Sequence, residues 1–187
     1  MLHGFKYIVP IVALAATGCN AIIVEDLTGP RFSYFDGDFE FAANKGSVLT
    51  DVSGNPFNMD PKQFGALVRS AMRNQIDLAI NTNFVAGSDG TTVPPYRVVV
   101  AFNPPSHISN HDLCAQRGST PSGPASGKVE VRMAFCYGDS LKSGSAAWVN
   151  GLSSANDPRF GQLVRQATRA LVPAQDNEET GEGGRPL

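Results

Sequence analysis

The sequence predicts a single α+β domain, and three observations carry that prediction. Two segments repeat one amphipathic helical pattern, and at least two others alternate in the manner of half-buried strands. The chain has 187 residues, 42% apolar and 17% charged, which is enough for one ordinary core and too short for two comfortable domains. The expected architecture has two layers: a mainly antiparallel sheet with both helices on one face.

The elements follow in chain order. Phe32–Phe41 (FSYFDGDFEF) alternates in its second half and is expected as a strand. Residues 60–73 (DPKQFGALVRSAMR) and 157–169 (DPRFGQLVRQATR) each open with Asp then Pro, an N-cap and a first-turn proline. Phe64, Leu67, Val68 and Ala71, and likewise Phe160, Leu163, Val164 and Ala167, fall at i, i+3, i+4 and i+7, so one buried stripe per helix is expected. Aligned from Phe64 and Phe160, both helices read F-G-x-L-V-R-x-A-x-R, seven matches in ten at an offset of 96. That offset also lays Phe32–Phe41 on Lys128–Tyr137, so a duplicated unit of strand, connection and helix is one reading; chance likeness between amphipathic helices is the other. Arg97–Phe102 (RVVVAF) and Lys128–Tyr137 (KVEVRMAFCY) are the clearest strands, and Ser145–Val149 is a short one. Trp148 is expected in the core. Between them, Asn103–Gly127 is rich in Pro, Ser and Gly and reads as a long connection.

Residues 1–18 (MLHGFKYIVPIVALAATG) read as an export signal: Lys6, a short apolar stretch from Tyr7 to Ala16, then small residues. The stretch is short and interrupted by Pro10, so a permanent transmembrane helix is not expected there. No apolar run in the chain reaches the roughly 18–20 residues of a spanning helix, so neither is a polytopic membrane protein expected. Ala16-Thr17-Gly18-Cys19 resembles the lipobox of bacterial lipoproteins, with Ala16 where Leu is more usual. The resemblance implies cleavage before Cys19 and a lipid on its thiol. A plain secretory signal cut after Ala13-Leu14-Ala15 is the alternative. Asn20 is not the Asp that retains such lipoproteins at the inner membrane in the resembling enterobacterial proteins, which implies the outer membrane, facing the periplasm.

Cysteine arithmetic agrees with export. With Cys19 acylated, Cys114 and Cys136 remain as one pair for an oxidising compartment, and bridging them contributes about 3 kcal/mol in the chain-entropy view. The expected division is signal 1–18, lipid-anchored linker 19–31, domain 32–173 and acidic tail 174–187. The tail holds Asp176, Glu178, Glu179 and Glu182 among glycines and is expected to be disordered.

A net charge of −2 argues against a nucleic-acid partner. Gly138-Asp139-Ser140-Leu141 is similar to the nucleophile block of the GDSL esterases, which implies a serine hydrolase. A serine needs a base, however, and no histidine follows Ser140, whereas the family's partners lie downstream. A strand-end turn is the preferred reading, so no catalytic residue is expected. His107, His111, Asp112 and Cys114 could be drawn as a metal site, but that stretch is a poor helix and a bridged Cys cannot ligate. Neither a metal nor a cofactor is expected. Lys62, Arg69, Arg73, Arg165 and Arg169 line the edges of the two helices and form a candidate patch for an anionic partner; a solvated face is the alternative. The functional expectation is a membrane-anchored, non-enzymatic envelope component that meets a protein partner. A lipid- or glycan-binding module is the second expectation.

Overall fold

The computed structural model describes residues 21–26, 36–76, 81–88, 90–116, 123 and 127–172. The expected signal, Cys19 and the acidic tail lie outside the described residues. The domain is α+β, with six strands among the described residues: β1 (Ile23–Asp26), β2 (Ser47–Ser53), β3 (Asn83–Val85), β4 (Tyr96–Phe102), β5 (Lys128–Tyr137) and β6 (Ser140–Asn150). Four helices accompany them: α1 (Asp36–Ala43), α2 (Pro61–Met72), α3 (Asn110–Ala115) and α4 (Pro158–Leu171). The sheet order is β1-β6-β5-β4-β2-β3. The β1–β6, β6–β5 and β5–β4 pairs are antiparallel, whereas β2 runs parallel to both β4 and β3. Helix α2 is the crossover that parallel β2 and β3 require.

Helices α2 and α4 pack on one face, as expected. The Asp60 carboxylate accepts from Gln63 N–H and the Asp157 carboxylate from Arg159 N–H, so both N-caps form where the sequence placed them. Val129, Val131, Met133 and Phe135 of β5 meet the helices, in the alternation read from the sequence. Phe64, Phe102 and Phe160 stack edge to face and tilted at 5.1–5.7 Å between the two helices and the sheet.

Several expectations are corrected. Asp36–Phe41 belongs to helix α1, not to a strand, because Phe39, Ala42 and Ala43 form a buried i, i+3, i+4 stripe while Phe41 is exposed. The 96-residue offset therefore matches a helix with strand β5, and the likeness of α2 and α4 does not extend to a repeated unit. The segment assigned to a linker, 19–31, contains edge strand β1. The short strand at Ser145–Val149 lies in the second half of the longer β6. The long connection after Asn103 contains α3, which a Ser109–Asp112 capping box starts in spite of weak helix propensity. Leu67 is 36% exposed rather than buried, and Gly65 and Met72 take its place in the α2 stripe.

Candidate functional site

Among the described residues the opposite face of the sheet is covered only in part, and α3 does the covering. Leu113 and Ile108 bury against Val99, Ala101, Ala134 and Leu141, giving a second, smaller core. The expected bridge is present: Cys114 and Cys136 are joined, S–S 2.01 Å, with Cα atoms 5.6 Å apart. It fastens the end of α3 to β5. Buried Asn110 donates from Nδ2 to the carbonyls of Met133 (2.6 Å) and Ser145 (3.2 Å). It can do so because residue 144 is glycine; any side chain there would collide with Asn110 Nδ2. Arg97 adds a third tie, donating to the carbonyls of Cys114 and of Gly138 in the β5–β6 turn.

Beside α3 the outer face of β5, β6 and β1 is left open as a cleft of about 530 Å³. Its floor is apolar, Leu141 and Ala146, and the indole of Trp148 is one wall. Trp148 is half-buried here rather than in the core. Cross-strand pairing sets this row: Ile23 of β1 and Glu130 of β5 flank Trp148, and Glu25 and Arg132 flank Ala146. Arg132 Nε donates to Glu130 Oε1 at 2.7 Å and Lys128 Nζ to Glu130 Oε2 at 2.8 Å. Arg132 also donates from Nη1 to the Ile108 carbonyl, which locks its guanidinium against the α3 entry. Burial pushes the Glu130 carboxyl up, but the bonds from Lys128 and Arg132 outweigh it and hold the group below its ordinary value. The Lys128 ammonium stands 5.5 Å from the centre of the Trp148 ring. The cleft is thus a wall of one aromatic and a preset ion network over an apolar floor, a setting for a ligand that is partly polar and partly flat.

The cations singled out in the sequence are each placed differently. Arg69 lies back over Gly65 and Arg165 over Gly161, each guanidinium filling the space that the missing side chain leaves. Burial lowers the Arg69 pKa from its ordinary value, and the charge of Asp51 opposes that shift. Arg169 donates to Gln75 Oε1 at 2.9 Å, across to the end of α2. Lys62 and Arg73 are exposed.

Gly138-Asp139 forms the two-residue turn between β5 and β6, with Gly138 at φ 57°, and Ser140 opens β6 opposite Tyr137. His107 and His111 are exposed, and no hydrogen bond among the described residues brings either to Ser140. No cluster of three or more His, Cys, Asp or Glu among the described residues could hold a metal ion. The Asp112 carboxyl is instead held below its usual value by bonds from the Ser109 hydroxyl and N–H. No described helix is long and apolar enough to cross a membrane.

From the sequence, Lys128–Tyr137 was legible as a half-buried strand and no more. The signal that could have found the cleft was a Lys-x-Glu-x-Arg alternation on one strand, because a period of two puts all three on one face.

No protein-family model matches the chain, and no curated protein matches it. Similar solved structures include two from Paraburkholderia phytofirmans: the PelC dodecamer and a PelC dodecamer carrying one leucine-to-methionine substitution. Their TM-scores are 0.42 for the former and 0.43 for the latter, each at 12% identity, covering 81% of this chain and 98% of theirs.

Proposed function

We propose that this protein is a bacterial envelope lipoprotein, held to the membrane through an acylated Cys19 at the outer membrane and facing the periplasm, where it acts as a non-enzymatic structural or protein-interaction component. The observation that supports it best is the fate of the cysteines. Three are present in the sequence, and the Cys114–Cys136 bridge uses two. Cys19 is left over, directly behind Gly18 and ahead of a domain whose bridge suits an oxidising compartment. Only Asn20, Ala21 and Ile22 separate it from β1, and each residue reaches at most about 3.6 Å, so the anchor would hold the domain close to the bilayer. The exposed cations Lys62 and Arg73, with Arg165 and Arg169 on the neighbouring helix, favour a partner that presents acidic groups.

Metabolic labelling with a fatty acid tests the anchor: the wild type should carry label and Cys19→Ser should not. Label retained in Cys19→Ser would overturn the assignment. A short-chain ester assay on the purified protein should show no turnover, and turnover abolished by Ser140→Ala would overturn the non-enzymatic part.

A further inference from the structure

The cleft beside Trp148 is lined by groups of opposed charge. Lys128 and Arg132 disfavour a cationic ligand, while Glu130 and the exposed Glu25 disfavour an anionic one. A wholly apolar ligand would have to strip water from all four, which is costly. What remains is an uncharged molecule that both gives and accepts many hydrogen bonds and carries a flat apolar face. Open hydrogen-bonding capacity matches this. Both Glu130 oxygens hold cations, but Lys128 keeps two spare N–H donors, Arg132 keeps Nη2, and Glu25 supplies acceptors. Trp148 supplies the flat surface, with an apolar body and a polar edge. The lysine over its ring has four rotatable bonds and can move aside.

We propose that this cleft binds an uncharged carbohydrate, with the indole of Trp148 taking the apolar face of one sugar ring and Arg132, Lys128 and Glu25 taking its hydroxyls. A volume of about 530 Å³ suits one or two rings, within the range of small-molecule sites. The site belongs to the folded domain and does not depend on acylation of Cys19.

Trp148 is the only tryptophan in the chain, so its fluorescence reports on the cleft alone. The full chain is titrated with uncharged cello-, malto- and chitotetraose, an anionic galacturonate tetramer and a cationic glucosamine tetramer. At least one uncharged tetramer should give a saturable shift of emission to shorter wavelength. By calorimetry, Trp148→Ala and Arg132→Ala should weaken that binding about tenfold or more. Trp148→Phe should keep it within a few-fold, and Tyr137→Ala, at the other end of the β5–β6 hairpin, should leave it unchanged. Circular dichroism of each variant separates lost binding from lost folding. The proposal is overturned if no uncharged tetramer gives a saturable response, if a charged tetramer is preferred, or if folded Trp148→Ala and Trp148→Phe both bind as the wild type does.

Discussion

Helices α2 and α4 carry the same F-G-x-L-V-R-x-A-x-R pattern, and the sheet uses the two differently. In α4 the buried set is Phe160, Leu163, Val164, Ala167, Thr168 and Leu171, the wide stripe of a helix lying over three strands. In α2 the buried set narrows to Phe64, Gly65, Val68 and Met72. Leu163 is 0% exposed and its counterpart Leu67 is 36% exposed. Helix α4 touches β6, β5 and β1, whereas α2 touches β2 and the three-residue edge strand β3. Helix α2 has two strands beneath it where α4 has three, and its Gly65 is covered by the Arg69 guanidinium of its own helix. The pattern determines that a helix packs; its place on the sheet determines how wide a stripe it buries.

The sharpest way to break this comparison is to truncate the paired leucines. Leu163→Ala should cost about 2–5 kcal/mol, and Leu67→Ala well under 1 kcal/mol, by urea unfolding. Equal losses would show that the two helices are buried alike.

A second difference lies in the strand beneath. Ser145 Oγ donates to the Ala167 carbonyl at 2.7 Å, and Ser143 Oγ donates at 2.6 Å to the Leu171 carbonyl, which the helix end leaves without an intrahelical partner. Both serines are fully buried. Helix α2 has no such strand hydroxyl bonded to its carbonyls among the described residues. Ser143→Ala should therefore destabilise by about 1–2 kcal/mol, seen as a lower denaturation midpoint with an unchanged slope.

Smaller still is the effect of the shared glycine. A methyl at 161 would lie 3.1 Å from Arg165 Nη1, the far end of a side chain that can shift. Gly161→Ala should stabilise by about 0.5–1 kcal/mol through helix propensity. At Gly65 the gain should be less, because that position is buried and Arg69 Nη1 stands at 3.0 Å. Thermal melts of the two variants, measured side by side, rank them.

The weakest contrast is in acid. The Asp157 carboxyl lies below its ordinary value, chiefly through the hydrogen bond from the Arg159 side chain and also from its N–H. A depressed carboxyl gives stability that is fully present above the unfolded pKa, near 3.9, and is lost as pH falls through the folded value. Asp157→Asn should flatten the pH dependence of the melting temperature below about pH 4. An unchanged profile would remove this cap from the account.

Much of the fold was legible because its strongest elements obey one period. Asp-Pro openings located both long helices, and β5 was bounded at Lys128 and Tyr137 by its alternation. What stayed hidden had mixed signals. FDGDFEF alternates like a strand, yet its buried spacing emerges only when Ala42 and Ala43 are counted with Phe39. Strand β2 (SVLTDVS) runs Val48, Thr50 and Val52 toward the helices, but its polar residues mask a short central strand. Helix α3 depends on a capping box and three tertiary ties, none of which is a propensity signal. The bridge was legible from counting cysteines. The cleft was not, since it joins residues of β1, β5, β6 and the start of α3 that only the strand order brings together.

That strand order also has a temporal consequence. Ile23 pairs with Trp148, partners drawn from opposite ends of the folded domain. The β5–β6 hairpin is local and can close through its two-residue turn within microseconds. β1 has no template until β6 exists, so the first described strand to be synthesised must wait for the last. During that interval the outer edge of β6 stands open, and association with foreign strands should be most damaging then, before Ile23–Asp26 closes it.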